Sequence, residues 1–307
     1  MIISKVAGLR AYKSAAISAT ALLVLAWLGF GFNRHASPAE PQQTAAVFER
    51  RIIPSRDIFY NEKIFAAALS SSENIRAATS RVLAVVVPHH LLAAEIIAGM
   101  LARSRDQAVE TVVIIGPNHD DNNASTVGTA HLEWQTPVGA VATADVLVDK
   151  FLSDFRLQPV PGAFLNEHSV GAVVPFVRHY FPLAKVMPII FNSTASLSDS
   201  QAVARWLKDN LSAQSLVVVS TDFSHYLTQA EAGRNDDITE RLILEQKTET
   251  IIGLSNGFVD SPPSLATVLF FAQAMGAAPE ILYRANANDF SERPFRETTS
   301  YFGILFN

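Results

Sequence analysis

The sequence predicts an α/β protein: a mostly parallel sheet with helices on both faces. Two observations carry the prediction. Four short apolar runs, "VLAVVV" (Val82–Val87), "TVVIIG" (Thr111–Gly116), "VMPIIF" (Val186–Phe191) and "LVVVS" (Leu216–Ser220), are continuous rather than alternating, as in strands covered on both faces. Helix-patterned segments separate them, and strands that alternate with helices build parallel sheets.

Composition narrows the class. Of 307 residues, 49% are hydrophobic and 17% charged, so a large core is available and most of the chain can fold. A net charge of −5 with no Lys/Arg block argues against a nucleic-acid surface. The chain has no cysteine, which removes disulfides, zinc-thiolate sites, thiol catalysis and a lipoprotein anchor.

Taken in order, residues 1–14 carry Lys5, Arg10 and Lys13, and "AAISATALLVLAWLGFGF" (Ala15–Phe32) carries no charge. That run is long enough for a spanning helix, and Trp27 and Phe32 sit where an aromatic belt would place them. The flanking positive charges predict a cytoplasmic N-terminus, hence a single-pass anchor in the cell inner membrane with the globular part on the extracytoplasmic side. An uncleaved signal anchor is favoured over a signal cleaved near "HASPA" (His35–Ala39), where Pro38 obstructs processing. Residues 33–49, with "SPAEPQQTAA", read as a linker, and 50–307 as the globular domain.

Within that domain, "LAAEIIAGMLARS" (Leu92–Ser104) predicts a buried helix with a narrow polar stripe at Glu95, Gly99 and Arg103. "HLEWQTPVGAVATAD" (His131–Asp145) predicts an inserted turn or hairpin. "DSQAVARWLKDNL" (Asp199–Leu211) predicts a helix, and "NDDITERLILEQ" (Asn235–Gln246) another, with acidic residues in its first turn. "TSYFGILF" (Thr299–Phe306) predicts a closing strand.

The histidines fall where such a sheet binds ligands. His89 and His90 follow the first run, His119 the second, and Asp222 and His225 the fourth. The C-terminal ends of parallel strands share one edge, and ligands bind in the crevice there. Because neighbours in extended chain point opposite ways, only one of His89 and His90 is expected to face the site. "NEHSV" puts Glu167 and His168 near a helix N-terminus, which favours an ionised carboxylate and a neutral imidazole. His35, His131 and His179 stand isolated. Two or three histidines with carboxylates and no cysteine suit iron(II), zinc or manganese, for oxygen activation or for metal-activated water. A triad of Ser224, His225 and Asp222 is the poorer alternative: it lacks a Gly-x-Ser-x-Gly elbow.

"VPHH", "IIGPNH", "WQTPVG", "NEHSV" and "STDFSHY", in this order, resemble the Memo family, whose prokaryotic members are called AmmeMemoRadiSam system protein B. The likeness runs from about Arg81 to Leu227, with an echo in "VDSPPSLATVLFFAQ" and "TSYFGILFN". It implies a three-layer α/β/α sandwich around a mixed sheet, as in class III extradiol dioxygenases. It implies His89 and His119 as metal ligands, with Ser224 standing where animal members carry a cysteine ligand. Asp222 or His225 could complete the set, and His168 is implied as acid/base or outer ligand. The implied cofactor is a divalent metal, iron(II) first, with copper or zinc as alternatives. The implied function is a dioxygenase-like redox enzyme on a small, aromatic substrate. A metal-dependent hydrolase and a non-catalytic ligand- or peptide-binding module are the competing readings. The family name further implies AMMECR-like and radical SAM partners, both ordinarily cytoplasmic.

Overall fold

The computed structural model describes residues 49–307. The proposed anchor and most of the linker lie outside the described residues. Among the described residues, no helix is long and apolar enough to cross a membrane.

A short strand, β1 (Arg51–Ile53), and helix α1 (Glu62–Ser72) precede the first sheet strand, β2 (Ala84–Val87). Then come α2 (Ala94–Ala102), β3 (Thr111–Pro117), β4 (Val127–Gly128), β5 (Leu132–Thr136), β6 (Gly139–Ala142) and α3 (Asp145–Phe155). Two short helices, α4 (His168–Gly171) and α5 (Val174–Tyr180), lead into β7 (Lys185–Phe191), α6 (Leu197–Asn210) and β8 (Ser215–Ser220). The chain ends through α7 (Gln229–Leu244), α8 (Thr248–Ile251), α9 (Pro262–Met275), β9 (Pro279–Asn286) and β10 (Ser300–Phe306).

The central sheet has seven strands in the order β4-β7-β3-β8-β2-β10-β9. β7, β3, β8 and β2 are mutually parallel, while β4, β10 and β9 pair antiparallel, so the sheet is mixed. Its two faces carry separate cores. Val85, Val87, Val112, Ile114 and Val218 pack with α2 and α5 on one side; Val86, Val113, Ile115 and Val219 pack with α3, α6 and α9 on the other. That two-sided burial is why the apolar runs do not alternate. The predicted hairpin is β5–β6, and it belongs to a separate three-stranded sheet in which β1 pairs parallel with β5.

Two predicted features change for local reasons. α7 starts at Gln229, not Asn235, because Thr228 and Glu231 form a reciprocal capping box upstream. Asp236 therefore sits buried inside the helix instead of in its first turn. Gly99 is not part of a solvent stripe: a Cβ there would come 2.7 Å from the Tyr283 hydroxyl, so the glycine permits α2 to approach the sheet.

Asp145, in the first turn of α3, ties β1 to the domain through Arg50 and also accepts from His131 Nδ1 at 3.0 Å and Thr143 Oγ1 at 2.8 Å. Burial would raise its carboxyl, but these donors outweigh burial and hold it below the usual carboxylate range. A depressed folded value means the stability is present above the unfolded value and is lost as pH falls through the folded one. Thermal melts of Asp145→Asn should start lower than wild type at neutral pH and lose less between about pH 5 and pH 2. Equal acid losses would show that Asp145 is not a principal acid-sensitive tie.

Candidate metal centre

β2, β3 and β8 end side by side, and each hands its chain to a polar tip at the same edge of the sheet. His89 and His119 stand on the first two tips. His168 reaches the same point from the first residue of α4. One ring nitrogen from each of the three lies within 4.8 Å of the other two. The rings are close-packed: His119 and His168 stack at 4.2 Å, and His89 meets them edge-on at 5.1 and 4.9 Å.

Two of the rings have polar partners at Nδ1. Glu167 is the N-cap of α4, and its carboxylate accepts from His119 Nδ1 and from the His119 main-chain N–H, each at 2.8 Å. Ser169 N–H adds a third bond at 2.8 Å. Burial would raise the Glu167 carboxyl, but the His119 and Ser169 bonds prevail and keep it low. Held by Glu167 at Nδ1, His119 turns Nε2 toward the cluster, the arrangement in which a carboxylate orients a ligating imidazole. His89 Nδ1 lies 3.2 Å from Ser220 Oγ, and its main-chain N–H donates to Asp222 Oδ1 at 3.1 Å.

Two buried carboxylates face His89 Nε2: Asp260 Oδ2 at 3.2 Å and Asp222 Oδ2 at 3.6 Å. Neither contact is aligned as a hydrogen bond, and Asp260 Oδ2 accepts none among the described residues. Asp260 Oδ1 is engaged by the Thr221 hydroxyl. Burial alone would lower the His89 imidazole, but Asp222, Asp260 and Glu167 reverse that and lift it to about 9. Burial together with the charges of His89 and His119 pushes His168 down to about 4, so that ring is neutral. The pocket thus has more negative charge than its side chains balance, and it favours a cation.

The residues fit a divalent metal. The donors are imidazole nitrogens with a carboxylate oxygen beside them, which suits iron(II), zinc or copper. Asp260 Oδ2, 3.2 Å from His89 Nε2 and 3.9 Å from His119 Nε2, lies where a cation between the rings would meet it.

The sequence-derived residues do not all converge. His89, His119, His168, Asp222 and His225 line one cavity of about 630 Å³. Ser224 does not line it. Its hydroxyl donates to Asp236 Oδ1 at 2.7 Å, while Ser300 holds Oδ2 at 2.6 Å, so Ser224 fastens the β8 tip to α7 and β10. The third candidate donor is His168, which the family likeness implies as acid/base or outer ligand. His90 lines the cavity with His89, contrary to expectation, because β2 stops at Val87 and strand alternation no longer governs the pair. Its Nδ1 lies 2.6 Å from the Tyr301 hydroxyl. Asp260 was not singled out at all; the one signal was an acid immediately before Ser-Pro-Pro at a helix start.

Gly116 is where α4 crosses β3. A Cβ there would lie 2.5 Å from Ser169 Oγ and 2.7 Å from Ser169 Cβ. Gly116→Ala should therefore displace the Glu167–His168 segment and weaken metal binding by about tenfold or more, as loss of ligand orientation does. Titration by calorimetry checks this; unchanged affinity would mean that α4 does not position the centre.

The profile of the Memo-like protein family matches residues 55–257. A MEMO1 family protein of Pyrobaculum aerophilum is 28% identical over 204 residues, covering 64% of this chain and 72% of its own. One from Caldivirga maquilingensis is 26% identical over 250 residues, covering 77% and 87%. A crystal structure of the uncharacterized protein JW3007 from Escherichia coli K12 shares the fold at TM-score 0.50 and 12% identity, over 74% of this chain and 100% of that one.

Proposed function

This chain belongs to the Memo-like protein family, and from that premise we propose that it is a metal-dependent, dioxygenase-like redox enzyme acting on a small aromatic substrate. The observation that carries the reading is the convergence of three imidazoles within 4.8 Å, beside two buried carboxylates, at the floor of a cavity. His89, His119 and His168 would hold the metal, with Asp260 adjacent. When bound, an iron(II) ion would supply the activation of dioxygen.

The chain's own residues do the rest. Ile58, Leu91 and Tyr226 give the cavity an apolar mouth, which suits a planar, hydrophobic body. Ile58 and Tyr226 are large, exposed side chains, and Tyr226 takes a left-handed backbone conformation (φ 57°). His225 lines the cavity, where it would serve as the acid/base group for a substrate hydroxyl. Asp222 is buried, accepts from the His89 main-chain N–H at 3.1 Å and places its other oxygen 3.6 Å from His89 Nε2.

The test is dioxygen uptake by the iron(II)-loaded full-length protein with a panel of ortho-dihydric phenols. Uptake coupled to ring cleavage supports the proposal. Ester hydrolysis without uptake would favour a metal hydrolase, and ligand binding without turnover a binding module. Membrane anchoring through residues 15–32 belongs to the same proposal, supported by the one-sided charge of Lys5, Arg10 and Lys13. The AMMECR-like and radical SAM partners also stay part of it, resting on the family likeness.

A further inference from the structure

Five histidines line the cavity of about 630 Å³, and three of them form the imidazole cluster. His225 has its proposed part in proton transfer. His90 has none, although it is exposed on the cavity wall beside Leu91.

The partner of His90 defines which of its nitrogens carries the proton. His90 Nδ1 lies 2.6 Å from the hydroxyl of Tyr301, a residue of β10 with 0% exposure. β10 is held between β2 and β9, and the Tyr301 ring packs against Phe290 at 5.9 Å, so the hydroxyl is fixed in place. A buried hydroxyl that donates no hydrogen bond is costly. Among the described residues, His90 Nδ1 is the only group that bonds the Tyr301 oxygen, and full burial keeps cavity water from it. The hydroxyl therefore donates to Nδ1. A ring nitrogen that accepts carries no proton, so the His90 proton sits on Nε2.

Nε2 lies across the ring from Nδ1 and makes no hydrogen bond among the described residues. It is a donor with a set proton and no protein acceptor, on a wall whose neighbouring side chain, Leu91, is apolar. We propose that His90 is a specificity-determining residue, which donates Nε2–H to an oxygen acceptor carried by the substrate ring, a carbonyl or a carboxylate. Tyr301 is the positioning residue that holds this tautomer. The identity of the ring rests on the function proposed above; the tautomer does not.

The test uses the full-length protein in detergent, with zinc present so that ligands bind without turnover. Dissociation constants are measured for ethylcatechol, acetylcatechol and carboxycatechol, each substituted para to one hydroxyl. The preference of wild type for an oxygen-bearing compound over ethylcatechol should fall about three- to tenfold in His90→Phe, the worth of one hydrogen bond. Comparing the ratio between proteins cancels the different acidities of the phenols. His90→Phe combined with Tyr301→Phe leaves no unpaired buried hydroxyl, and should show the same fall in a chain that folds. A fall for acetylcatechol alone identifies a neutral carbonyl as the acceptor, and a fall for carboxycatechol alone a carboxylate; either supports the proposal. In the metal-free protein, imidazole nitrogen shifts should show His90 Nδ1 unprotonated in wild type and a mixture of tautomers in Tyr301→Phe. Ratios unchanged in both His90 variants, or a wild-type His90 protonated at Nδ1, would overturn the proposal. If ethylcatechol still binds in that case, the proposed function survives it. Failure of all three compounds to bind would overturn that function and the recognition together.

Discussion

His119→Ala should lower the affinity of the full-length protein for a divalent metal by more than about 100-fold, because it removes a donor nitrogen and the imidazole partner of a buried carboxylate. Glu167 holds His119 by two bonds of 2.8 Å and is itself 4% exposed; the variant keeps the main-chain N–H bond and the Ser169 N–H bond but takes the imidazole from this buried carboxylate. The variant should therefore also melt at lower temperature than wild type. His119→Gln, which keeps a donor toward Glu167, should recover part of the stability and none of the affinity. Equal affinity in wild type and His119→Ala, by competition with a chromogenic chelator, would remove His119 from the ligand set.

Glu167→Gln should weaken metal binding by about 10- to 100-fold while leaving every ligand in place. The amide has one acceptor oxygen where the carboxylate has two, yet it faces three donors: His119 Nδ1, the His119 N–H and the Ser169 N–H. Turned one way, it presents its NH₂ to His119 Nδ1 and drives the ring into the tautomer that protonates Nε2, the atom needed for the metal. The tautomer is readable from imidazole nitrogen shifts in the metal-free protein. A variant that binds metal as wild type does, with Nδ1 still protonated, would show that Glu167 serves α4 alone as its N-cap.

The sheet was legible because its strands are buried on both faces and so appear as unbroken apolar runs. Histidines at the ends of three such runs placed a site at the edge before any coordinates. What the chain pattern could not carry were pairings made only in the folded state. Ser224 sits beside Asp222 and His225 in the sequence, yet its hydroxyl is claimed by Asp236, twelve residues on and inside a helix whose start was misplaced. Asp260 arrives from the start of α9, far along the chain from the other site residues, where an acid before Ser-Pro-Pro reads as ordinary helix-entry chemistry. His90 shares the cavity with His89 because β2 ends at Val87 and strand alternation does not extend to the pair.

The central claim is that three imidazoles of one chain bind one divalent metal. Pulsed EPR of the copper(II)-loaded full-length protein measures this most directly, since each equatorial imidazole adds its own remote-nitrogen modulation. The account predicts about one equivalent of copper with modulation from three imidazoles, reduced to two in His89→Ala and in His168→Ala. Copper bound through one imidazole or none, with both variants unchanged, would contradict it.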